Sequence, residues 1–262
     1  MELREAIGNR RSIRYLDPDR PVALDEIQRM LEAARIASHF GNNNAVRALV
    51  VHRESASEEQ IASLPSPVGG FQIRLAPVII LWYVETNAMD SASERLRELV
   101  HCGALGYGPD KFKELEETLV PLFDRIGEAL KGPGMVDMDV GQAIAQATLM
   151  AVEQGLGTCC QGSADWAKVE KAFGLSESCR IVVAQTVGHP LESPDGGGQR
   201  PRLRFEELFQ LNACDHPFPR SQDVVDELTR EKLLQAPAPL PGRDEEIERI
   251  RERYELPGSG MI

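Results

Sequence analysis

Apolar residues recur at helical spacing in two long stretches of the chain. Within residues 21–38 the apolar positions follow the i, i+3, i+4, i+7 pattern of a helix that buries one face. These positions are Ile27, Met30, Leu31 and Ala34. Residues 139–157 are mostly apolar and rich in alanine, which predicts a second, longer helix that packs closely against its neighbours.

Three other stretches have the apolar runs of β-strands. They are residues 47–52, 76–85 and 180–190. The run at 76–85 is apolar almost throughout, which predicts a strand buried on both faces. Because helical and strand-like stretches alternate, we expect a mixed α/β or α+β fold.

The pattern changes after about residue 217. Two charged segments with helical character are separated by the sequence APAPLPG, which cannot form a helix and is expected to run extended. We interpret residues 217–262 as an appendage to a domain formed by residues 1–216. A partly disordered tail is an equally good interpretation of the same composition.

Composition and charge exclude several classes of protein. The chain has 262 residues, 42% of them hydrophobic, enough for one large domain with or without an appendage. A net charge of -12 argues against a nucleic-acid partner. No apolar run approaches the roughly 20 residues of a membrane span, and charges from Glu2 onward leave no apolar leader, so we expect neither membrane insertion nor a secretory signal. Five cysteines in a chain of this length favour a reducing cytoplasm over a disulfide framework.

One basic cluster stands out against the acidic background. The sequence GNRRSIRYLDPDR places Arg10, Arg11, Ser12 and Arg14 within five positions. Arginines donate charge-assisted hydrogen bonds to phosphate, and a serine hydroxyl adds a further donor. The alternative is a solvated turn that pairs with nearby aspartates, and the cluster taken alone favours this alternative.

Three further segments have both a functional and a structural interpretation. The loop at residues 38–44 is rich in Gly and Asn, as ligand loops and ordinary turns both are. Residues 160–163 form a short crossing of small residues where backbone amides can approach a planar ligand, or a tight connection. Arg200, Arg202 and Arg204 alternate, as in a second anion clamp or in a basic strand edge.

Several common signatures of catalysis are missing from the sequence. There is no G-x-G-x-x-G between a strand and a helix, no Walker A lysine motif and no Cys/His spacing of a zinc site. No Ser/His/Asp or Cys/His nucleophile can be argued from spacing. The adjacent Cys159 and Cys160 are expected to be two small buried hydrophobes rather than a strained disulfide. We therefore predict neither a catalytic side chain nor a metal site.

Six segments, taken together and in order, resemble the FMN-dependent nitroreductase family. They are the R-x-S-x-R segment at 10–14, the helix end and Asn-rich loop at 37–46, the A-P and apolar run at 75–80, the D-x-G-x-A helix running to G-L-G at 139–157, the G-x-P strand end at 187–190, and the basic segment before an acidic pair at 200–208. Each motif is weak alone, but their order is specific. The resemblance covers most of residues 2–210.

The resemblance implies a fold and an assembly. The fold would be α+β, with a mixed, mostly antiparallel sheet wrapped by helices. The molecule would be a homodimer with two FMN sites at the subunit interface. Residues 1–216 would form the FMN-binding domain, and residues 217–262 would be a C-terminal extension able to wrap the partner subunit. Residues 90–138 fall where family members vary the lid over the substrate.

The resemblance also assigns cofactor contacts residue by residue. The residues so implied are Arg10, Arg11, Ser12, Arg14, Ser38, His39, Asn42, Cys160, Gln161, Gly162, Ser163, Arg200 and Arg202. The arginines and Ser12 would hold the FMN phosphate and ribityl chain. Residues 160–163 would face the isoalloxazine ring, with the Gly162 amide as a donor near N5. Ser38, His39 and Asn42 would come from the partner subunit, and Arg74 is a candidate for the N1/O2 edge of the ring.

The implied reaction is a ping-pong reduction. NADH or NADPH would reduce the flavin, and a nitroaromatic, quinone or related conjugated acceptor would then take its place. The chain departs from the family where Ser38-His39 replaces Pro-Ser and where Asn44-Ala45-Val46 replaces Gln-Pro-Trp. Alternatives therefore stay open: a specialised flavin dehydrogenase or reductive dehalogenase, a flavin-binding or storage protein with little turnover, and a module that binds a different phosphate compound.

Overall fold

The computed structural model describes residues 1–64, 70–163 and 165–256. The strands are β1 (Val46–His52), β2 (Val78–Glu85), β3 (Gly157–Gln161) and β4 (Cys179–Gly188). The α-helices are α1 (Leu3–Asn9), α2 (Leu24–Arg35), α3 (Glu58–Ser63), α4 (Gly70–Leu75), α5 (Ala92–His101), α6 (Lys111–Glu114), α7 (Val120–Lys131), α8 (Met135–Glu153), α9 (Trp166–Ala172), α10 (Phe205–Leu208), α11 (Gln222–Arg230) and α12 (Arg243–Arg253). Short 3₁₀ turns occur at Phe40–Asn42, Arg53–Ser55 and Thr86–Ser91, and a π-helical segment at Leu115–Leu119 joins α6 to α7.

The four strands form one sheet in the order β1-β2-β4-β3, and every neighbouring pair is antiparallel. An isolated parallel bridge adds Ser12 beside Thr158 of β3. The predicted α+β fold with a mostly antiparallel sheet is therefore confirmed.

Strand β2 is the centre of the molecule, and its two faces belong to two different apolar clusters. Val78, Ile80 and Trp82 face the cluster formed with α2 and α8. Ile79 and Leu81 face the opposite cluster, which includes residues of α9 and of the segment after α1. Because side chains alternate along a strand, a run that is apolar throughout fills both clusters, as the sequence predicted.

Helix α8 has two distinct faces. One face packs on α2 and the sheet through small residues at i, i+4 spacing, with Val140, Ala143, Ala147 and Ala151 fully buried. Another face, which includes Gly141, Ile144, Ala145 and Thr148, lines a cleft described below. Neither α8 nor any other helix in the described ranges has both the length and the apolar character that crossing a bilayer would need.

Strand β3 is an element that the sequence pattern missed. The predicted helix ends at Glu153 rather than at residue 157, with Gly155 in the left-handed region at φ 77°. The predicted small-residue crossing at 160–163 begins inside β3. Side-chain alternation in this strand buries Cys159 and exposes Cys160, so the expectation that both cysteines are buried was wrong.

The segment between β2 and α8 forms its own small cluster. Leu96, Val100, Leu115 and Val120 are buried together there. Phe123 of α7 stacks on Phe40, with the ring centroids 5.5 Å apart, so this segment is in contact with the loop after α2.

The predicted helical segments of the C-terminal extension are present as α11 and α12. Ile250 of α12 packs with Tyr15, Phe71 and Leu75 of the main domain. Gly8, at the end of α1, approaches the extension so closely that an added Cβ would lie 1.9 Å from the carbonyl oxygen of Lys232. The described part of the extension thus packs on its own chain, residues 257–262 lie outside the described ranges, and the wrapping of a partner subunit stays a prediction.

Candidate functional site

A concavity lined by Arg10, Arg11 and Arg14, which we call the arginine cleft, has a volume of about 460 Å³. It is lined by Ile7, Arg10, Arg11, Ser12, Arg14, Gly141, Ile144, Ala145, Thr148, Leu149, Thr158, Cys159 and Cys160. The segment after α1, one face of α8 and strand β3 therefore form its walls. The structure brings together here two of the segments that the sequence singled out, residues 10–14 and the start of 160–163.

The contact between the segment after α1 and β3 positions the cleft. The amide of Ile13 donates to the carbonyl of Thr158 at 2.9 Å, next to the Ser12–Thr158 bridge. Gly157 permits this approach, because an added Cβ would lie 2.7 Å from Ile13 side-chain atoms. The second glycine of the G-L-G sequence, Gly157, is thus required where the basic segment meets the strand.

Three arginines in or near the cleft have no acidic partner among the residues that the structure describes. In the part of the chain that the structure describes, no carboxylate pairs with the guanidinium of Arg10, Arg14 or Arg200, and that of Arg14 donates only to the Ser12 carbonyl at 3.1 Å. By contrast, surface arginines such as Arg29 and Arg35 pair with acids. Partial burial and then the positive charge of Arg14 lower the pKa of Arg200, so these two cations lie within electrostatic range of each other.

Arg11 is arranged differently from its neighbours. Its side chain is buried, and its guanidinium donates to the carbonyls of Asp195 at 2.9 Å and Gly8 at 2.5 Å, and to the Gln235 amide oxygen at 2.8 Å. Burial, followed by the charges of Arg10 and Arg200, lowers the pKa of the group. Its donors are thus largely engaged by protein acceptors. A cofactor contact from this side chain stays a prediction.

The residues after Cys160 continue from the cleft along β3. The Gln161 side chain is buried and donates to the Gln72 amide oxygen and, at 3.2 Å, to the Cys159 sulfur. Gly162 follows the strand and is exposed. The Ser163 hydroxyl accepts a hydrogen bond from the amide of Asp165 at 3.1 Å, so this side chain is used locally.

The remaining basic residues lie at the C-terminal side of the domain. Arg200 is half-buried, whereas Arg202 is exposed and donates to its neighbour's carbonyl, that of Pro201, at 2.9 Å. Arg200 is electrostatically close to Arg14, as described above. Neither residue is among those that line the arginine cleft, but Arg200 lies within electrostatic range of Arg14, which does line it. Cofactor contacts from Arg200 and Arg202 stay predictions.

His39 lines a second, smaller concavity, which we call the His39 pocket. Its volume is about 250 Å³, and its lining is Leu31, Ala34, Arg35, His39, Asn44, Val46, Arg47, Ala48 and Trp82. The Nε2 atom of His39 is buried and has no hydrogen-bond partner among the described residues. Burial lowers the pKa of His39, the nearby Asp139 opposes that effect, and the imidazole therefore favours its neutral form.

The loop that carries His39 is shaped by its Gly and Asn residues. Gly41, Asn42 and Asn44 all have left-handed backbone conformations, with φ between 51° and 57°. These are the residue types that adopt this region most readily. Asp139 of α8 anchors the loop, since its buried carboxylate accepts from the Phe40 amide at 3.1 Å and from Asn43 Nδ2 at 2.9 Å.

Sequence reasoning missed two residues beside the arginine cleft, Glu192 and Arg243. Glu192 is buried and accepts from the amides of Arg14 at 2.5 Å and Tyr15 at 3.1 Å. Arg243 of α12 pairs with Glu192. The two residues are 51 positions apart, and neither belongs to a periodic or recurring motif, so no local signal could have found them.

Comparison with known proteins agrees with the resemblance that the sequence motifs suggested. The model of the "Nitroreductase family" matches residues 7–189, more than half of the chain. A Bacillus subtilis (strain 168) protein named "Putative NAD(P)H nitroreductase YdgI" is 26% identical over 180 residues, which cover 68% of this chain and 83% of that protein.

Solved structures share the fold at lower identity. A nitroreductase-type protein of Exiguobacterium sibiricum, solved in complex with FMN, superposes with a TM-score of 0.62 at 22% identity, covering 81% of this chain and 98% of the other. A protein of Staphylococcus epidermidis, described as a putative NAD(P)H:FMN oxidoreductase, superposes with a TM-score of 0.63 at 18% identity, covering 80% and 95%. With its motifs in family order, the matching fold and the match over residues 7–189, the chain belongs to the nitroreductase family.

Proposed function

We propose that the protein is an FMN-dependent oxidoreductase that holds the cofactor in the arginine cleft. The observation that carries this proposal is the set of three guanidinium groups, on Arg10, Arg14 and Arg200, that have no carboxylate partner among the described residues of an acidic protein. A phosphate dianion is a ligand that such groups bind well. The hydroxyl of Ser12, in the same wall, would add a neutral donor.

The shape of the cleft is compatible with a flavin. Its volume of about 460 Å³ lies within the roughly 300–1,000 Å³ typical of small-molecule sites. Gly141 and Ala145 contribute small residues to the α8 wall, beside the apolar Ile144 and Leu149, and β3 forms another wall. A planar ring could therefore extend from the basic end of the cleft along β3, toward the exposed Gly162.

The chain's own residues would bind and orient the cofactor rather than exchange protons. When bound, FMN supplies the redox chemistry, accepting hydride from NADH or NADPH and delivering electrons to an acceptor. The Gly162 amide is the candidate donor to N5. The Bacillus subtilis relative carries NAD(P)H in its name, which supports a nicotinamide reductant. We expect ping-pong kinetics, with a nitroaromatic, quinone or related conjugated acceptor.

A homodimer would complete the site. Ser38, His39 and Asn42 are not among the residues that line the arginine cleft. His39 lines a separate pocket, and its Nε2 has no hydrogen-bond partner in the described part of the chain. We propose that this loop covers the flavin of a partner subunit. Sedimentation analysis should find a dimer at micromolar concentration, and a monomer that binds FMN normally would contradict this arrangement.

Cofactor binding is tested by a matched pair of arginine variants. Arg10→Ala should weaken FMN binding at least about tenfold, because a hydrogen bond to a charged group contributes on the order of 1.5–3 kcal/mol. Arg204→Ala is the control, since Arg204 is exposed and pairs with Glu207 at 2.9 Å. The measurement is FMN fluorescence quenching on titration. A wild-type protein that is colourless and takes up no added FMN would overturn the proposal.

Turnover is tested separately from binding. Anaerobic addition of NADH or NADPH to the FMN-loaded protein should bleach the flavin absorbance, and a nitroaromatic or quinone should restore it. A loaded protein that neither reductant bleaches would instead support a flavin-binding or storage role.

A further inference from the structure

A buried carboxylate lies directly behind the basic wall of the arginine cleft. The side chain of Glu192 has no exposed surface, and its Oε1 accepts the backbone amides of Arg14 and Tyr15. Its negative charge also acts on Arg200 and on Cys159, which lines the cleft. Glu192 therefore binds the backbone of one arginine that we assign to the phosphate, Arg14, and acts electrostatically on another, Arg200.

The partner of this carboxylate comes from the C-terminal extension. Arg243, the first residue of α12, pairs with Glu192 through Nη2 and with Glu246 through Nη1 at 2.8 Å. Glu246 in turn accepts the amide of Ser193 at 2.5 Å. Burial opposes the charge on Arg243, but the hydrogen bonds and charges of Glu192 and Glu246 outweigh burial and raise its pKa.

Close packing fixes Arg243 in this position. Its side chain is only 13% exposed. Gly197 presses against it, since a Cβ on that glycine would lie 2.7 Å from the Arg243 side chain. The adjacent backbone is also tied to the extension, because the Leu240 amide donates to the Gly197 carbonyl at 2.9 Å.

Charge balance explains what this arrangement does for the cleft. A buried carboxylate must be compensated by a cation, and leaving it unpaired is strongly unfavourable. Without Arg243, Glu192 would be left near Arg200, on which its charge already acts, and near Arg14, whose backbone amide it accepts. Pairing either guanidinium with Glu192 would divert that group from the phosphate. We propose that Arg243 is a positioning residue that neutralises Glu192 and so leaves Arg14 and Arg200 available to the cofactor phosphate. This inference rests on the proposed function, because it presumes that the anion in the cleft is the phosphate of FMN.

The inference distinguishes the phosphate from the rest of the cofactor. Riboflavin has the same ring and ribityl chain as FMN but no phosphate. A defect confined to the phosphate cations should weaken FMN and spare riboflavin, whereas general damage to the cleft should weaken both ligands alike.

The experiment is a titration of full-length variants with FMN and with riboflavin, followed by flavin fluorescence. Arg243→Gln should raise the FMN dissociation constant about tenfold or more and change that of riboflavin by less than about threefold. Arg249→Gln is the matched control, because Arg249 is an exposed arginine on the same helix and should change neither constant.

A second pair of variants separates the proposed effect of Arg243→Gln from a simple loss of folding. In Glu192→Gln the amide oxygen can still accept from Arg14 and Tyr15, so FMN affinity should be unchanged or higher. The double variant Glu192→Gln/Arg243→Gln should recover most of the FMN affinity, since no buried carboxylate then competes for Arg14 and Arg200. Thermal unfolding of each variant reports stability independently.

The outcomes separate the inference from the proposed function. Parallel losses of FMN and riboflavin in Arg243→Gln, or a double variant as weak as the single one, would overturn the positioning role while leaving FMN binding intact. A wild-type protein that binds riboflavin as tightly as FMN would overturn the inference as well. A wild-type protein that binds neither would overturn the proposed function and the inference together.

Discussion

The arginine cleft and the His39 pocket differ in how completely one chain builds them. The cleft has three walls from a single chain, and its basic segment is joined to β3 by the Ile13–Thr158 hydrogen bond. The His39 pocket is formed around a loop of left-handed residues, and its histidine nitrogen lacks a partner among the described residues. The cleft gathers its cations on one chain, whereas the pocket presents a buried polar atom that no described residue satisfies.

Two neighbouring arginines show that residues of the same type can have different structural roles. Arg10 and Arg11 are adjacent at the cleft. Arg10 is exposed and has no acidic partner among the described residues, whereas Arg11 is buried and donates to backbone carbonyl oxygens. The first is available to a ligand, and the second stabilises the wall that carries the first. At the His39 pocket, a single buried acid, Asp139, has the corresponding structural role.

The largest expected effect separates these two arginines. Arg11→Met should lower the free energy of unfolding by about 3 kcal/mol or more, because it leaves several buried carbonyl oxygens without a donor. Arg10→Met should change stability by less than about 0.5 kcal/mol, since Arg10 is exposed. Urea unfolding measures both variants. Equal destabilisation by the two substitutions would contradict the distinction between Arg11 as a structural residue and Arg10 as a group available to a ligand.

A smaller effect is expected at the anchor of the His39 loop. Asp139→Ala should lower the free energy of unfolding by about 2 kcal/mol, because the Phe40 amide and the Asn43 side chain lose their buried acceptor. Hydrogen exchange should accelerate in residues 40–45. In residues 10–16 exchange should stay unchanged, because the Asp139 carboxylate accepts its hydrogen bonds from Phe40 and Asn43 and none from that segment. Faster exchange in both regions would mean that the cleft and the pocket are one cooperative unit.

The smallest effect is a pH dependence that comes from His39 at the pocket and from His189, a buried residue outside the cleft lining. Burial lowers the pKa of both histidines below the ordinary value of 6.5. Below that value the unfolded chain binds more protons than the folded one, so the free energy of unfolding should fall as pH drops from 7 through the window under 6.5. Urea unfolding between pH 7.5 and 5.5 checks the sign. His39→Gln and His189→Gln should each flatten the slope, and stability that rises on acidification would contradict both assignments.

Strong periodicity made part of this architecture predictable. Strands β1, β2 and β4 and helices α2 and α8 were expected, because long apolar runs and helical spacing survive in any tertiary context. Strand β3 was missed since its five residues, Gly-Thr-Cys-Cys-Gln, show no apolar alternation and depend on pairing with β4. A strand of this kind is defined by its neighbours rather than by its own composition.

The charged residues of the candidate site could be predicted from the sequence, but which of them are buried and which are exposed could not. The cluster at 10–14 was visible, yet nothing in the sequence separates Arg11 from Arg10, since burial depends on the distant segments 195–198 and 235. The Glu192–Arg243 pair was invisible for the same reason. Such contacts arise from long-range packing, which leaves no periodic trace in the sequence.

The contact between Gly157 and Ile13 has a consequence for interpreting genetic variation in this protein. The substitution Gly157→Ala changes no charge, and the atoms that its Cβ would meet are those of Ile13, at 2.7 Å. We expect it to push the basic segment away from β3. In a mutational screen scored by flavin content, this glycine should cluster with the arginines. Its effect would be steric, because the absence of a side chain at Gly157 sets the distance between the basic segment and β3.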